Sequence, residues 1–166
     1  MQIGGVVVIS LIASVGRNLE IGRGGDLAFS GRGELGYFKA TTMGYKVLMG
    51  SKTFDSLPVR LVGREYFVAA RDGEFPDWVS VVRDLDGFLA KWQDEDEELF
   101  VIGGGSIYAA ALPYAEKLYL TEIDGECADA DVFFPQFETS QFVKEKVGEG
   151  EFDDGLTFAR FIYTKK

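Results

Sequence analysis

The chain has 166 residues, 46% hydrophobic and 27% charged, so it is long enough for one domain with a hydrophobic core. Its 17 basic and 27 acidic side chains give a net charge of −10, which argues against binding to nucleic acid or to anionic lipid. Histidine is absent and Cys127 is the single cysteine, which excludes a serine–histidine triad, an internal disulfide bond and a cysteine-based metal cluster.

Apolar runs rich in β-branched residues predict strands that are buried on both faces, as in a parallel sheet. They cover residues 6–12, 46–50, 66–70 and 99–103, with a weaker run at 117–121. The stretch around the first run, residues 5–15, is too short to span a bilayer. It also lacks the basic start and cleavage site of a signal peptide, so we expect a cytoplasmic protein.

Short helices are predicted between these strands, at residues 34–42, after a capping Asp84, and at residues 106–112. Near the end of the chain, residues 142–147 and 156–164 alternate around a turn and predict an antiparallel hairpin. Strands that alternate with short helices favour an α/β fold with a mixed, mostly parallel sheet. We expect a single domain over residues 1–166.

Three loops at strand ends are candidates for ligand binding. Residues 15–33 contain six glycines, which indicates a lid that covers a bound ligand. The run 103–105 is three glycines at a helix start, where either phosphate contact or a tight turn is possible. In the loop that starts at Gly50, Ser51 is expected to cap a helix while Lys52 faces an anion, although a purely structural role fits equally well.

Glu34 is the most informative single residue. It begins a predicted helix and shares a face with Phe38, four residues later. Its carboxylate is either a favourable first-turn charge or a buried acid that awaits a partner. The acidic run at residues 94–98 is interpreted as a solvated loop.

Several sequence blocks occur in an order and spacing that are specific together. They are residues 9–13, 21–22, 34–35 with 38–39, 47–50 with 53–57, 63–64, 101–108, 117–121, and 131 with 134–135. Over essentially the whole chain they resemble the dihydrofolate reductase family. The resemblance implies an eight-stranded mixed sheet flanked by about four helices, NADPH as cofactor, and dihydrofolate and antifolates as ligands. It also implies hydride transfer from nicotinamide C4 to pterin C6 with protonation at N5, in a monomer.

The resemblance further implies a substrate site around Glu34, the pterin-binding carboxylate, with Thr121 hydrogen-bonded to it from behind. Arg64 would hold the glutamate tail, and Phe38 would stack on the ring. The implied substrate residues are Ile12, Ser14, Glu34, Leu35, Phe38, Lys39, Leu57, Arg64, Ile102, Tyr108 and Thr121.

The implied cofactor residues lie in the lid and at the glycine-rich strand ends, where the family has a cis bond between Gly103 and Gly104. They are Ser14, Ile21, Gly22, Gly25, Asp26, Leu27, Gly50, Ser51, Lys52, Thr53, Ala69, Ala70, Arg71, Ile102, Gly103, Gly104, Gly105, Ser106, Ile107 and Tyr108. No metal site is expected.

Three departures from the family pattern stand out. Where the lid usually has Leu-Pro-Trp, this chain has Leu27, Ala28 and Phe29, so the lid positions 27 and 29 keep apolar contacts near the reacting atoms but lose an indole donor. Ser51 stands where an arginine often reads the 2′-phosphate, and residues 30–33 replace a more proline-rich lid end.

Two alternative functions remain open from the sequence. A related reductase of the pyrimidine or riboflavin-precursor type shares the glycine-rich turn but has no need of Arg64 or Glu34. A non-catalytic NADPH-binding protein is favoured only if Phe29 and the altered lid abolish turnover.

Overall fold

A computed structural model of the chain describes residues 9–29, 34–57 and 63–166, with the backbone but not the side chain of Leu35. Within these ranges the chain forms eleven strands, four α-helices and two short 3-10 helices. The strands are β1 (Ile9–Val15), β2 (Glu20–Arg23), β3 (Asp26–Leu27), β4 (Lys46–Gly50), β5 (Glu65–Ala69), β6 (Val79–Val82), β7 (Leu99–Val101), β8 (Lys117–Ile123), β9 (Val132–Phe133), β10 (Phe142–Glu151) and β11 (Thr157–Lys165). The helices are α1 (Glu34–Thr42), α2 (Ser51–Ser56), α3 (Leu85–Trp92) and α4 (Gly105–Ala111).

Eight strands form one mixed sheet in the order β10-β11-β8-β1-β7-β4-β5-β6. The six strands from β8 to β6 pair in parallel, and β11 runs antiparallel to both of its neighbours. The predicted mixed, mostly parallel sheet with a C-terminal hairpin is therefore confirmed. Because the parallel strands end at one edge, the loops after β1, β4, β5 and β7 converge there, as in other open α/β sheets.

Apolar side chains cover both faces of this sheet. On one face, a cluster that includes Leu11, Leu99 and Leu118 packs against Leu89 of α3 and Ile107 of α4. On the other face, a second cluster packs against α1 and α2; its buried members are Ile12, Val47, Met49, Tyr66, Val68, Val79 and Phe100. The two clusters hold α1 and α2 over the opposite face from α3 and α4.

Local signals explain some of the helix boundaries. Asp84 caps α3 as predicted, since its side chain accepts a hydrogen bond from the backbone N–H of Gly87. The predicted cap at Ser51 is wrong: Gly50 is the N-cap of α2 and Ser51 is its first helical residue. Pro113 lies in a 3-10 turn that follows α4.

The glycine-dense loop after β1 is more ordered than the sequence suggests. Its residues form β2 and β3, which join β9 in a separate three-stranded sheet. Gly24 and Gly25 make the turn between β2 and β3 with φ angles of 57° and 86°, which glycine adopts without strain. The lid end at residues 30–33 and the start of the first predicted strand, residues 6–8, lie outside the described residues.

Candidate active site

Three polar side chains lie in one row across the central strands. Ser14 in β1 is in register with Thr121 in β8, and Thr121 is in register with Arg160 in β11. Residues paired in this way project from the same face of a sheet. Glu34, the first residue of α1, covers the row, so a helix start and three strands build one polar site.

The Glu34 carboxylate accepts three hydrogen bonds from this row. Ser14 Oγ donates to Oε2 at 2.7 Å. Arg160 donates from Nη1 to Oε2 at 3.0 Å and from Nη2 to Oε1 at 2.8 Å, which makes a two-pronged ion pair. The side chains of Arg160 and Glu34 are only 16% and 13% exposed. Glu34 is therefore a largely buried acid with a partner, the second of the two possibilities that the sequence left open.

Arg160 has two further kinds of contact. Its Nη1 also donates to Thr121 Oγ1 at 2.7 Å. Its guanidinium carbon lies 3.8 Å from the centre of the Tyr37 ring and 4.6 Å from that of Phe158, within reach of cation–π attraction. Arg160 thus stands between Thr121 and Glu34, where the sequence predicts a direct hydrogen bond.

Sequence reasoning missed Arg160, although a signal for it exists. Residues 158, 160 and 162 alternate onto one face of β11, and Phe158 and Ile162 are apolar. A single arginine at such a position needs a buried acid as its partner.

An aromatic and aliphatic wall adjoins the carboxylate. Tyr37, Phe38, Leu57 and Ile102 are partly buried against the cluster beneath α1 and α2. Tyr119 belongs to the same wall, and burial, followed by the nearby Glu98 carboxylate, raises its pKa to about 12. The wall therefore presents neutral rings to a ligand.

The predicted residues Ile12 and Tyr108 meet directly. The buried Tyr108 hydroxyl donates to the carbonyl of Ile12 at 2.7 Å, and burial raises the pKa of Tyr108. A carbonyl oxygen has two lone pairs, so Ile12 keeps one acceptor position. Leu35 is in α1, but its side chain lies outside what the structure describes.

Arg64 is held against α1. Its Nε donates to Thr42 Oγ1 at 2.9 Å, and its Nη2 donates to the carbonyl of Lys39. The structure therefore brings the predicted residues Lys39 and Arg64 together at the far end of the helix that Glu34 begins.

The lid is fastened to the loop before β9. The backbone N–H of Asp131 donates to the carbonyl of Gly22 at 2.9 Å, and Asp131 Oδ2 accepts from the N–H of Gly24 at 3.2 Å. Within the lid, Ile21 is buried whereas Leu27 is 61% exposed and available to a ligand. Phe29 is buried in a third apolar cluster with Ile123 and Cys127, which places its ring at the base of the lid.

The glycine-rich strand ends are in close backbone contact. The N–H of Gly50 donates to the carbonyl of Gly103 at 2.8 Å, and the bond between Gly103 and Gly104 is cis, as expected. A β-carbon at position 50 would lie 3.1 Å from Ile107 Cγ1, and one at position 104 would lie 3.6 Å from Thr53 Oγ1. Both α2 and α4 begin here after a glycine whose position has no side-chain cap. The N-cap residues therefore supply no side-chain acceptor to the first N–H groups of these helices.

The end of β5 lies beside the end of β4, because Ala69 is in register with Gly50. Sequence reasoning missed Arg83, whose guanidinium donates to the carbonyls of Ala70 at 3.2 Å and Gly73 at 2.7 Å. The turn that carries Arg71 is held in place by these bonds.

In the parts of the chain that the structure describes, no group of three or more cysteine, aspartate or glutamate side chains could hold a metal ion. The same parts contain no helix that is both long and apolar enough to cross a membrane.

Comparison with known proteins identifies the family. The family model for dihydrofolate reductase matches residues 8–165. The chain belongs to the dihydrofolate reductase family. It is 41% identical over 135 residues to dihydrofolate reductase type 3 of Salmonella typhimurium, covering 79% of this chain and 80% of that protein. It is 35% identical over 163 residues to dihydrofolate reductase of Bacillus subtilis strain 168, covering 96% of this chain and 95% of that protein.

As a dihydrofolate reductase family member, the chain is an NADPH-dependent oxidoreductase that reduces dihydrofolate to tetrahydrofolate. The glycine-rich edge fits this cofactor, because glycine at positions 50, 103 and 104 leaves the backbone bare where β4, α2 and α4 meet. A β-carbon would lie 3.1 Å from Ile107 at position 50 and 3.2 Å from Tyr108 at position 103. Uncapped N–H groups at two helix starts suit the phosphate groups of a dinucleotide.

Proposed function

We propose that Glu34 anchors the pterin ring during the reduction of dihydrofolate by this chain. The observation that carries this proposal is a largely buried carboxylate beside an aromatic wall, close to the carboxyl edge of the sheet. A pterin presents an amino group and a ring N–H side by side, and an ionised carboxylate accepts both. These two hydrogen bonds offset the cost of burying the acid.

The same contacts give Glu34 its role in the chemistry. An acid that holds the amino and N–H edge of the ring fixes the ring plane and favours protonation of N5. Ser14 donates to one carboxylate oxygen and so restricts the rotation of the Glu34 side chain. NADPH, when bound, supplies the hydride that reduces C6 of the ring.

The walls of the site position the rest of the substrate. Phe38 is proposed to stack on the pterin ring, and Leu57 and Ile102 to line the apolar channel beside it. Arg64 is proposed to bind the carboxylate of the glutamate tail, because a guanidinium fits a carboxylate with two parallel donors. The cofactor residues named above are proposed to bind NADPH. Leu27 is proposed to cover the reacting atoms and to exclude water.

We also propose that the chain is one domain over residues 1–166, acts as a cytoplasmic monomer and does not bind nucleic acid. The net charge of −10 supports the last point, since a polyanion gains nothing from a strongly acidic surface. The family binds dihydrofolate and antifolates, and both would take the Glu34 site.

The direct test of the function is the loss of NADPH absorbance when dihydrofolate is added to the purified protein, with and without methotrexate. We expect oxidation that methotrexate inhibits. Tight NADPH binding without oxidation would instead favour a non-catalytic binder, and oxidation only with a pyrimidine substrate would favour a riboflavin-precursor reductase.

Arg64 offers a test of the substrate half alone. Replacement of Arg64 by Leu removes the proposed partner of the glutamate tail, so KM for dihydrofolate should rise by about tenfold or more while KM for NADPH stays the same. Steady-state kinetics with each substrate varied in turn measure both values. Equal increases in the two KM values would contradict the assignment of Arg64.

A further inference from the structure

We infer that Arg160 competes with the pterin ring for Glu34 and thereby sets which ligands the site prefers. The inference rests on the proposed role of Glu34 and adds to it a residue that determines specificity. It starts from the two-pronged pair in which Arg160 Nη1 and Nη2 donate to Oε2 and Oε1 of Glu34.

The guanidinium of Arg160 presents the same hydrogen-bonding edge as the ring that Glu34 is proposed to bind. Both groups are planar, and both place two N–H donors side by side on neighbouring nitrogen atoms. In the structure this edge is already bound to both carboxylate oxygens. Arg160 therefore occupies Glu34 in the same way as the hydrogen-bonding edge of the substrate ring would.

Glu34 has too few acceptor positions to hold Ser14, both donors of Arg160 and a pterin edge at the same time. An ionised carboxylate has about two lone-pair sites on each oxygen. Among the described residues, Glu34 Oε2 accepts from Ser14 at 2.7 Å and from Arg160 at 3.0 Å, whereas Oε1 accepts from Arg160 alone, at 2.8 Å. A pterin needs one site on each oxygen, so one of the bonds to Oε2 must break before the ring can bind.

Arg160 is the partner that can release Glu34 at low cost. Its Nη1 is within 2.7 Å of Thr121 Oγ1, and its guanidinium lies 3.8 Å from the Tyr37 ring centre. These contacts keep a place for the cation beside the site after the pair has opened. The positive charge then remains close to the ring that replaces it.

That remaining charge discriminates between ligands. Dihydrofolate binds a carboxylate as a neutral ring, whereas the 2,4-diamino ring of methotrexate binds it as a cation. A cation next to Arg160 is repelled, and the site is too buried for solvent to screen this repulsion fully. Arg160 is thus expected to weaken the binding of methotrexate more than that of dihydrofolate, although both ligands carry the same glutamate tail.

The test compares Arg160→Met and Arg160→Lys with the natural chain, by the dissociation constants of dihydrofolate, methotrexate and NADPH. Arg160→Met removes both the two-pronged donor and the charge, so the constant for dihydrofolate should fall about tenfold and that for methotrexate about a hundredfold. Arg160→Lys keeps the charge without the two-pronged geometry, so it should gain affinity for dihydrofolate but little for methotrexate. The constant for NADPH should not change.

Lys144→Met is the matched control. It removes one positive charge from the strand next to β11, where Lys144 contacts Glu122 and the Phe161 ring rather than Glu34. It should alter none of the three constants. Thermal unfolding checks that each variant folds, and Arg160→Gln replaces Arg160→Met if the latter does not.

Two outcomes separate this inference from the role of Glu34. If Glu34→Gln weakens both folate ligands but Arg160→Met leaves the constant for dihydrofolate unchanged or higher, the competition is refuted and Glu34 keeps its role. If Glu34→Gln leaves both constants unchanged, the assignment of Glu34 fails, and the inference about Arg160 fails with it.

Discussion

Gly16 is a residue at which one added carbon would disturb the lid. A β-carbon there would lie 2.5 Å from Glu20 Oε1, 2.8 Å from Phe29 Cε2 and 2.9 Å from the carbonyl oxygen of Gly125. Two of these neighbours are buried side chains and the third is backbone, so none can move freely. The glycine therefore allows the end of β1, the base of the lid and the loop after β8 to pack together.

This crowding predicts opposite effects for two glycine-to-alanine changes. Gly16→Ala should lower the free energy of unfolding by about 1–3 kcal/mol through overpacking. Gly36→Ala is the control: it lies on the exposed side of α1, where a β-carbon meets nothing within 4 Å, and should raise stability by up to about 1 kcal/mol. Urea unfolding measures both, and equal stability of Gly16→Ala and the natural chain would refute the packing argument.

At the scale of single residues, the sequence is a better guide to residues that carry a local signal than to residues whose role depends on a partner far away in the chain. A helix start and an apolar face single out Glu34 within the sequence, but they leave its role open, and only the family resemblance makes it the pterin-binding carboxylate. Arg160 is missed because its role depends on a carboxylate 126 positions away. Ser14 was assigned to the site from the family pattern, but only the register of β1 with β8 shows why its hydroxyl reaches Glu34.

Among the elements, the hairpin of β2 and β3 depends on a second buried acid. Glu20 is 2% exposed, and its carboxylate accepts hydrogen bonds from the backbone N–H groups of Asn18 and Cys127, each at 2.7 Å. Burial raises the pKa of Glu20, but the hydrogen bonds from the N–H groups of Cys127, Glu20 itself and Asn18, with one from the Asn18 side chain, together lower it more, so the pKa is below its usual value. An ionised Glu20 therefore joins the lid to the loop after β8.

The stability that Glu20 supplies should depend on pH in a definite direction. Because its pKa is lowered by folding, the contribution is present above the unfolded value near 4.5 and is lost as the pH falls through the folded value. Glu20→Gln should cost about 1–3 kcal/mol at pH 7, and less below pH 4.5. Denaturant unfolding across this range tests it, with the exposed Glu95→Gln as control. A cost that does not change with pH would contradict the account.

The elements that sequence patterns missed are short and weakly marked. β6 has four residues, and β3 and β9 have two each. Strands this short cannot show a clear alternation of apolar and polar residues. Longer or capped elements were easier: α1 begins and ends at the predicted residues, and the cap of α3 lies at Asp84. The sequence pattern indicates a single loop for the lid glycines, because β2 and β3 form through pairing with each other and with β9 rather than through a local signal.

For the whole molecule, local patterns predicted the class of fold but not the strand order. β7 lies between β1 and β4, although it follows them by many residues in the chain. No local signal specifies that placement, because it depends on contacts between distant segments. The family resemblance implies a mixed sheet of eight strands, which the structure confirms, but the order of the strands comes from the structure alone.

The proposed roles place the substrate and the cofactor at two neighbouring parts of one sheet edge. The proposed substrate half uses β1, α1, β8 and β11, whereas the proposed cofactor half uses the ends of β4, β5 and β7 and the starts of α2 and α4. A change that removes only the charge of Glu34 should therefore disable chemistry without disturbing the glycine-rich edge. This separation follows directly from the proposal that Glu34 holds the ring.

The most direct test is the rate of NADPH oxidation by Glu34→Gln at saturating NADPH and dihydrofolate, beside the dissociation constant for NADPH. The account predicts turnover lower by about a hundredfold or more, with unchanged NADPH binding, while the exposed Glu138→Gln behaves like the natural chain. Turnover of Glu34→Gln equal to that of the natural chain near neutral pH would contradict it.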